Sequence, residues 1–347
     1  MESGATGNCQ VGDYMTHPAF LSIPSTGYWV GKFETGYSGA STNGKARVNE
    51  IASSKVIIKP NVYSWRGIQV ANAFYTSYDY KRDLDSHMMK NTEWGAVAYL
   101  QHSIYGSATS VRINNNSNHL TGYSSISEPT CGSFGFNGDN CGAEILDYCG
   151  PSDASDLLCN IYQSTLPSEN GTYTINYFNS SSNVASTTGN ITGIYDMSGG
   201  SWEYMMAVVL DENGNPMSGY DSNENSGFKG IYRMSGENTT GYDWPDTKYY
   251  DRYMYGTSNQ EYQRRILGDA TGEGGSFESF DYVFETSTNK VTESSWYHNM
   301  SVMSYNSWPF FLRGGGNYEG FNAGIFNFSS QNGNSCWDRT FRIILTP

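Results

Sequence analysis

The chain has 347 residues, 37% of them hydrophobic and 16% charged, with 28 Tyr, 16 Phe and 8 Trp. It is long enough to bury a large core, and tyrosine dominance lets it bury area while keeping polar tips wet. A formal net charge of −14 argues against duplex nucleic acid and anionic membrane surfaces as partners, because both need a basic footprint. No apolar run reaches the roughly 18 residues of a spanning helix, so direct membrane insertion is not expected. The start, MESGATGNCQ, has neither the basic nor the apolar region of a signal peptide. The chain is therefore either cytosolic or exported by a segment outside these residues.

In chain order, GYWVGKFETG at residues 27–36 predicts a half-buried strand, with Trp29 and Phe33 alternating against Lys32 and Glu34. Residues 64–78 predict a helix capped by Ser64, with Ile68, Ala71, Phe74 or Tyr75, and Tyr78 on one face. A second, clearer helix spans 91–106: Asn91 caps it, Trp94, Val97, Ala98 and Tyr105 share a stripe, and Gly106 stops it.

Residues 107–190 are loop-like and contain Cys131, Cys141, Cys149 and Cys159 in a Gly- and Asp-rich stretch. That grouping suits a disulfide-stapled loop. A four-thiolate zinc site is the rival, although tight Cys-x-x-Cys pairs are absent, and unpaired thiols are the third option. Cys9 and Cys336 remain, either as a pair joining the ends or as free thiols. Disulfides would place the protein outside the cytosol, at a cell surface, in the medium or on a virion.

Residues 188–211 carry a tight turn at Ser198-Gly199-Gly200 and an apolar run beyond it, and 212–295 alternate polar with short aromatic segments. Nothing resembles an interdomain linker, so one domain over 1–347, with few helices, short strands and long ordered loops, is the expectation. Residues 308–347 open on a glycine turn at Arg313-Gly314-Gly315-Gly316 and close on a strand with Phe341, Ile343 and Leu345 on one face. The stretch between is rich in Asn, Ser, Gly and aromatics, the composition of adaptable binding surfaces. An ordinary irregular loop region is the alternative.

Several segments together resemble the formylglycine-generating enzyme (sulfatase-modifying factor) family, whose fold is an elaborated C-type lectin fold of the α+β class. The resemblance rests on HPAF at 17–20 with YWVGKFETG, on MMKNTEWGAVAYL at 88–100, on GIYDMSGGSWEYM at 193–205, and on the closing LRGG and FRIIL. Closer still, the chain resembles the variable proteins of diversity-generating retroelements, which use this fold for display. That resemblance implies adenine-directed rewriting of codons in a variable segment, here residues 308–340, and recognition of a protein or other surface ligand through it. Trp308, Leu312, Tyr318, Glu319, Phe321, Asn327, Trp337, Asp338 and Arg339 are the expected ligand contacts. Arg313, Gly314, Gly315, Phe341, Arg342, Trp94 and Trp202 are the expected scaffold. Trp94, Tyr195, Trp202 and Trp29 are expected in the core, and Trp308, Tyr318, Phe321 and Trp337 exposed.

The family's oxidase activity implies a cysteine pair near the C-terminus, and this sequence offers only Cys336 after Cys159. The expectation is a protein that is not an enzyme and has no cofactor. There is no Gly-x-Ser-x-Gly elbow, no Walker-type loop, and the five histidines are scattered. Structural calcium remains a candidate at Glu203, Asp211 and Asp221. The loops around the two aspartates are rich in oxygen ligands, yet neither completes an EF-hand. A calcium-dependent sugar-binding lectin and a purely structural pilus or virion subunit are the rival functions.

Overall fold

The computed structural model describes residues 16–101, 103–106, 111–125, 174–217, 227–228, 244–259, 261, 264–272, 301–319 and 323–347. The four grouped cysteines, Asp221 and Phe321 lie outside them. Short strands β1 (Trp29–Val30), β2 (Gly36–Tyr37) and β3 (Val56–Ile57) precede helix α1 (Val70–Tyr78), strand β4 (His87–Met88) and helix α2 (Asn91–Leu100). Then come β5 (Ser124–Ser125), β6 (Thr174–Ile175), β7 (Trp202–Val209) and β8 (Asp251–Tyr253). The chain closes with β9 (Phe310–Gly314), β10 (Gly324–Gln331), β11 (Arg339–Phe341) and β12 (Ile343–Leu345). This is a mixed α+β architecture with few helices and several sheets.

Strand β7, WEYMMAVV, is apolar at nearly every position, so both of its faces require cover. Trp202, Tyr204, Met206 and Val208 enter one core together with Phe310 and Leu312 of β9, and Ala71, Phe74 and Tyr75 of α1 close that face. Met205, Ala207 and Val209 enter a second core with Phe311, Ile325, Phe326 and Phe328, closed by Trp94, Val97 and Ala98 of α2. The central sheet runs β10-β9-β7-β11, antiparallel between β10 and β9 and between β9 and β7, and parallel between β7 and β11. Strand β8 also pairs in parallel with β7, beyond β11 on the same edge.

The chain's last turn passes between sheets. Phe341 of β11 pairs with Tyr204, and two residues later Ile343 of β12 pairs with Met88 in the antiparallel sheet β1-β12-β4. Phe341 and Ile343 enter the first core with Leu345 packed against it, while Ile344 enters the second. The expected one-face spacing of the three therefore holds, although Arg342 interrupts the strand.

Several local expectations are corrected. Strand β1 is two residues long, its Trp29 is 71% exposed, and Glu34 is buried with Phe33. The alternation fails because Glu34 turns inward to take two hydrogen bonds, from Ser201 N–H at 2.7 Å and Ser64 Oγ at 2.5 Å. Ser64 is thus held in the core and caps nothing; α1 begins at Val70. Asn91 is inside α2, donating through Nδ2 to Tyr253 Oη at 2.7 Å. The orphan donors at the start of α2 go instead to Asp251 of β8, which accepts from Thr92 N–H at 2.7 Å, and to Glu93, which reaches back to Lys90 N–H at 2.9 Å. The helix stops at Leu100, short of Tyr105 and Gly106.

Candidate functional site

Two glycine turns meet behind the site. Gly199 N–H donates to the Gly314 carbonyl at 3.0 Å, and Gly199, Gly200, Gly314 and Gly315 all have positive φ. At Gly200 a Cβ would lie 2.3 Å from Glu34 Oε1, so both backbone angle and space demand glycine. Beneath these turns sits a fully buried charge cluster. Arg342 Nε donates to Glu203 Oε2 at 3.0 Å, its Nη2 pairs with Oε1, and Nη1 and Nη2 also reach the Gly31 and Tyr195 carbonyls at 2.7 and 3.0 Å. Asp196 accepts from Asn114 Nδ2 at 2.9 Å and from Gly122 N–H at 2.8 Å. Burial, reinforced by Asp196 and Glu203, pushes the Glu34 carboxyl well up; burial raises Glu203, and raises Asp196 to about 6 although Arg342 opposes it.

Both oxygens of Glu203, one of the calcium candidates, face the Arg342 guanidinium. Asp211 closes its own turn, accepting from Asn213 and Asn215 N–H at 2.9 and 2.8 Å. Among the described residues no group of three or more His, Cys, Asp or Glu is placed to hold a metal ion.

Of the expected ligand contacts, Tyr318, Glu319, Trp337, Asp338 and Arg339 come together. Loop 315–319 is held on the Gly200 turn: Asn317 N–H donates to the Gly200 carbonyl at 3.0 Å, and its side-chain amide donates to the Asn116 carbonyl at 2.7 Å. Glu319 bridges Gly316 N–H and Trp202 Nε1, both at 3.1 Å. Loop 332–338 is strapped to the start of α1, Gly67 N–H donating to the Cys336 carbonyl at 2.9 Å and Val70 N–H to that of Gly333 at 3.1 Å. The two loops join where Tyr318 Oη donates to Asp338 Oδ2 at 2.6 Å and the Tyr318 and Trp337 rings lie 5.7 Å apart. Asp338 Oδ1 is 2.7 Å from Arg339 Nη1, and the Arg339 guanidinium stands 5.9 Å over the Trp202 ring. Burial pushes the Tyr318 hydroxyl well up, with Asp338 adding to it.

Three residues that sequence reasoning missed complete the cluster. The Arg47 guanidinium lies 5.7 Å over the Trp337 ring. Arg66, wholly buried, donates from Nη1 to the Trp337 carbonyl at 2.7 Å and from Nη2 to Asn43. His119 sets its ring 5.6 Å from Trp337, with Nδ1 3.1 Å from the Gly200 carbonyl and 2.9 Å from Ser201 Oγ. Burial, then Arg66 and Arg47, pushes His119 well below its ordinary value, so its ring is neutral. A signal existed for Arg66, a charge set between the apolar Trp65 and Ile68. None existed for Arg47.

The remaining expected contacts lie elsewhere. Leu312 is in the first core and Asn327 is buried in β10, because alternate residues of strands covered on both faces have nowhere exposed to point. Trp308 is half-buried against Tyr305. Trp337 is 5% exposed, against the expectation, because Tyr318, His119 and Arg47 surround its ring; Glu319, Asp338 and Arg339 are buried too, and Tyr318 is half-buried. Arg313, expected as scaffold, is buried between the Trp94 and Phe328 rings, 5.5 Å from each, and donates to the Ala270 carbonyl at 3.0 Å. Trp94, Tyr195, Trp202, Phe341 and Arg342 are also buried. Cys336 is buried and disulfide-bonded; the other five cysteines, and hence its partner, lie outside the described residues.

No family model matches the chain, and no curated protein matches it.

Proposed function

We propose that the chain is a non-enzymatic ligand-binding protein with a C-type lectin fold of the formylglycine-generating type, displayed on a cell surface or virion, whose C-terminal segment recognises a protein or other surface ligand. The observation that carries this reading is the division of residues 308–347 into locked and joined parts. Arg313, Phe341 and Arg342 are fixed in the cores, while loops 315–319 and 332–338 meet in one aromatic and charged cluster at Tyr318 and Trp337. Recognition from loops held on a rigid sheet loses little affinity to loop ordering. The segments that carry the resemblance are also neighbours: Met88 pairs with Ile343, Glu203 with Arg313, and Tyr204 with Phe341. The oxidase alternative would need a second C-terminal thiol beside Cys336, which the sequence lacks.

In this reading a retroelement diversifies codons 308–340. Sequencing the 3′ end of the gene and its downstream DNA across a population tests it. Substitutions clustered in those codons, at positions matching adenines of a nearby near-copy, with codons 313–315 and 341–342 unvaried, are the expected result. A uniform segment with no near-copy would sink it in favour of a fixed-specificity lectin or a structural subunit. One observation favours that second reading: Asn327, Asp338 and Arg339 are buried, and varying a buried ion pair leaves an uncompensated charge.

A further inference from the structure

The chain carries a net charge of −14, yet the candidate site gathers the guanidiniums of Arg47, Arg66 and Arg339 around the carboxylate of Asp338. Arg339 is paired with Asp338 at 2.7 Å. Arg66 spends Nη1 and Nη2 on the Trp337 and Asn43 carbonyls and on the Asn43 side chain, and its buried Nε has no partner among the described residues. Among the described residues Arg47 makes no side-chain hydrogen bond or ion pair; its Nε is buried and unsatisfied, and the half-buried guanidinium rests over Trp337. The two arginines are backbone neighbours, bridged residue to residue, and they repel each other. His119 beside them is neutral.

A buried or half-buried guanidinium is stable when an anion or a full set of acceptors meets it. Arg47 is attracted by Asp338, whose ion pair is with Arg339, and has no full set of acceptors among the described residues, although its position is fixed: the Gly44–Ala46 turn precedes it, and Gly67 packs so closely that a Cβ there would lie 3.2 Å from Arg47 Cβ. A planar guanidinium on an aromatic face presents its fork edge-on, the geometry that receives a carboxylate bidentately. We infer that Arg47, seated on Trp337 and backed by Arg66, is a carboxylate-binding subsite that selects an acidic peptide segment of a protein ligand. This rests on the ligand-binding reading above and names the chemistry that reading leaves open. Peptide is favoured because the half-buried Tyr318 ring, 5.7 Å from the Trp337 ring on which the guanidinium rests, offers apolar surface in the same cluster, which suits a side chain next to an Asp or Glu.

The test is a peptide array in which each sequence containing Asp or Glu is printed beside its Asn or Gln counterpart, probed with the labelled full chain, with Arg47→Met and with Arg47→Lys. Melting temperatures report folding, and Arg47→Met is expected to fold normally because the Arg47 side chain makes no hydrogen bond among the described residues and methionine keeps an unbranched apolar stem over Trp337. Wild type is expected to prefer acidic over amide peptides by tenfold or more, Arg47→Met to lose that preference, and Arg47→Lys to keep only part of it, since an ammonium lacks the fork. Equal binding of acidic and amide peptides, or the same selection by wild type and Arg47→Met, overturns the subsite while leaving the ligand-binding reading intact. Selective binding to a parallel panel of uronic-acid oligosaccharides and to no peptide overturns the peptide assignment. Binding to neither panel overturns the subsite and counts against the reading beneath it.

Discussion

Arg342 and Glu203 are joined across two sheets. Glu203 lies on β7, Arg342 is the single residue between β11 and β12, and Arg342 Nε donates to Glu203 Oε2 at 3.0 Å with both side chains fully buried. With the Gly31 and Tyr195 carbonyls also accepting, the guanidinium pins the chain where it leaves one sheet for the other. Removing one partner of such a pair leaves a buried charge, so Arg342→Met should destabilise by about 3–5 kcal/mol. Arg342→Lys should recover little, because an ammonium cannot reach acceptors spread over a planar fork. Urea unfolding of the variants checks both.

The same cluster sets a pH dependence. Glu34, Asp196 and Glu203 share the one guanidinium, and burial raises all three, Asp196 to about 6. A carboxyl whose pKa is higher folded than unfolded holds more protons in the native state, so its contribution to stability is present below the unfolded value and is lost as pH rises through the folded one. For Asp196 that window runs from its ordinary value of 3.8 to about 6. Asp196→Asn keeps an oxygen for Gly122 N–H and removes the titration. The stability difference between wild type and Asp196→Asn should therefore shift against wild type from pH 4 to pH 6.5, measured by urea unfolding at several pH values. A flat difference would contradict the burial of this group.

At Gly200, where φ is +80° and a Cβ would lie 2.3 Å from Glu34 Oε1, alanine adds both strain and a clash with a buried carboxylate. Gly200→Ala should cost about 1–3 kcal/mol. Gly214, with φ +83° and open space around it, separates the two effects. Gly214→Ala should cost less, and thermal melts of the two variants give the comparison.

The tryptophans offer a contrast that exposure alone decides. Trp337 is 5% exposed between Tyr318, His119 and Arg47, whereas Trp29 is 71% exposed. Trp337→Ala should destabilise by about 3–5 kcal/mol, and Trp29→Ala by within about 0.5 kcal/mol. Chemical denaturation of the two single variants would show it, and similar losses would mean that Trp29 is covered in solution.

Trp94 links α2 to the segment expected to bind. Its Nε1 donates to the Ile325 carbonyl at 2.6 Å, and the Arg313 guanidinium stands 5.5 Å from the ring. Trp94→Phe keeps most of the ring and leaves that carbonyl without its indole donor. A loss of about 1–3 kcal/mol is expected, and Trp94→Leu, which also removes the aromatic face under Arg313, should lose more. Denaturation midpoints rank the two.

What the sequence determined by itself was local. The apolar run beyond the Ser198-Gly199-Gly200 turn was legible as buried chain, though not as a strand covered on both faces, and the two-residue spacing of Phe341, Ile343 and Leu345 placed them in one core even though Arg342 divides the strand. Helix α2 was legible from its stripe, because side-chain period follows from backbone geometry within a few residues. Tertiary structure alone decided where the polar groups find partners. Thr92 is capped by Asp251, Glu34 turns inward to Ser201, and Arg47 comes to rest on Trp337, each through chain that returns from far away in sequence. It also decided that Leu312, Asn327 and Trp337, expected as ligand contacts, are buried. Composition tells how much polar and apolar surface a segment has, but not which neighbours will cover it: helix α1 closes the core that takes Leu312, and Tyr318, His119 and Arg47 surround Trp337.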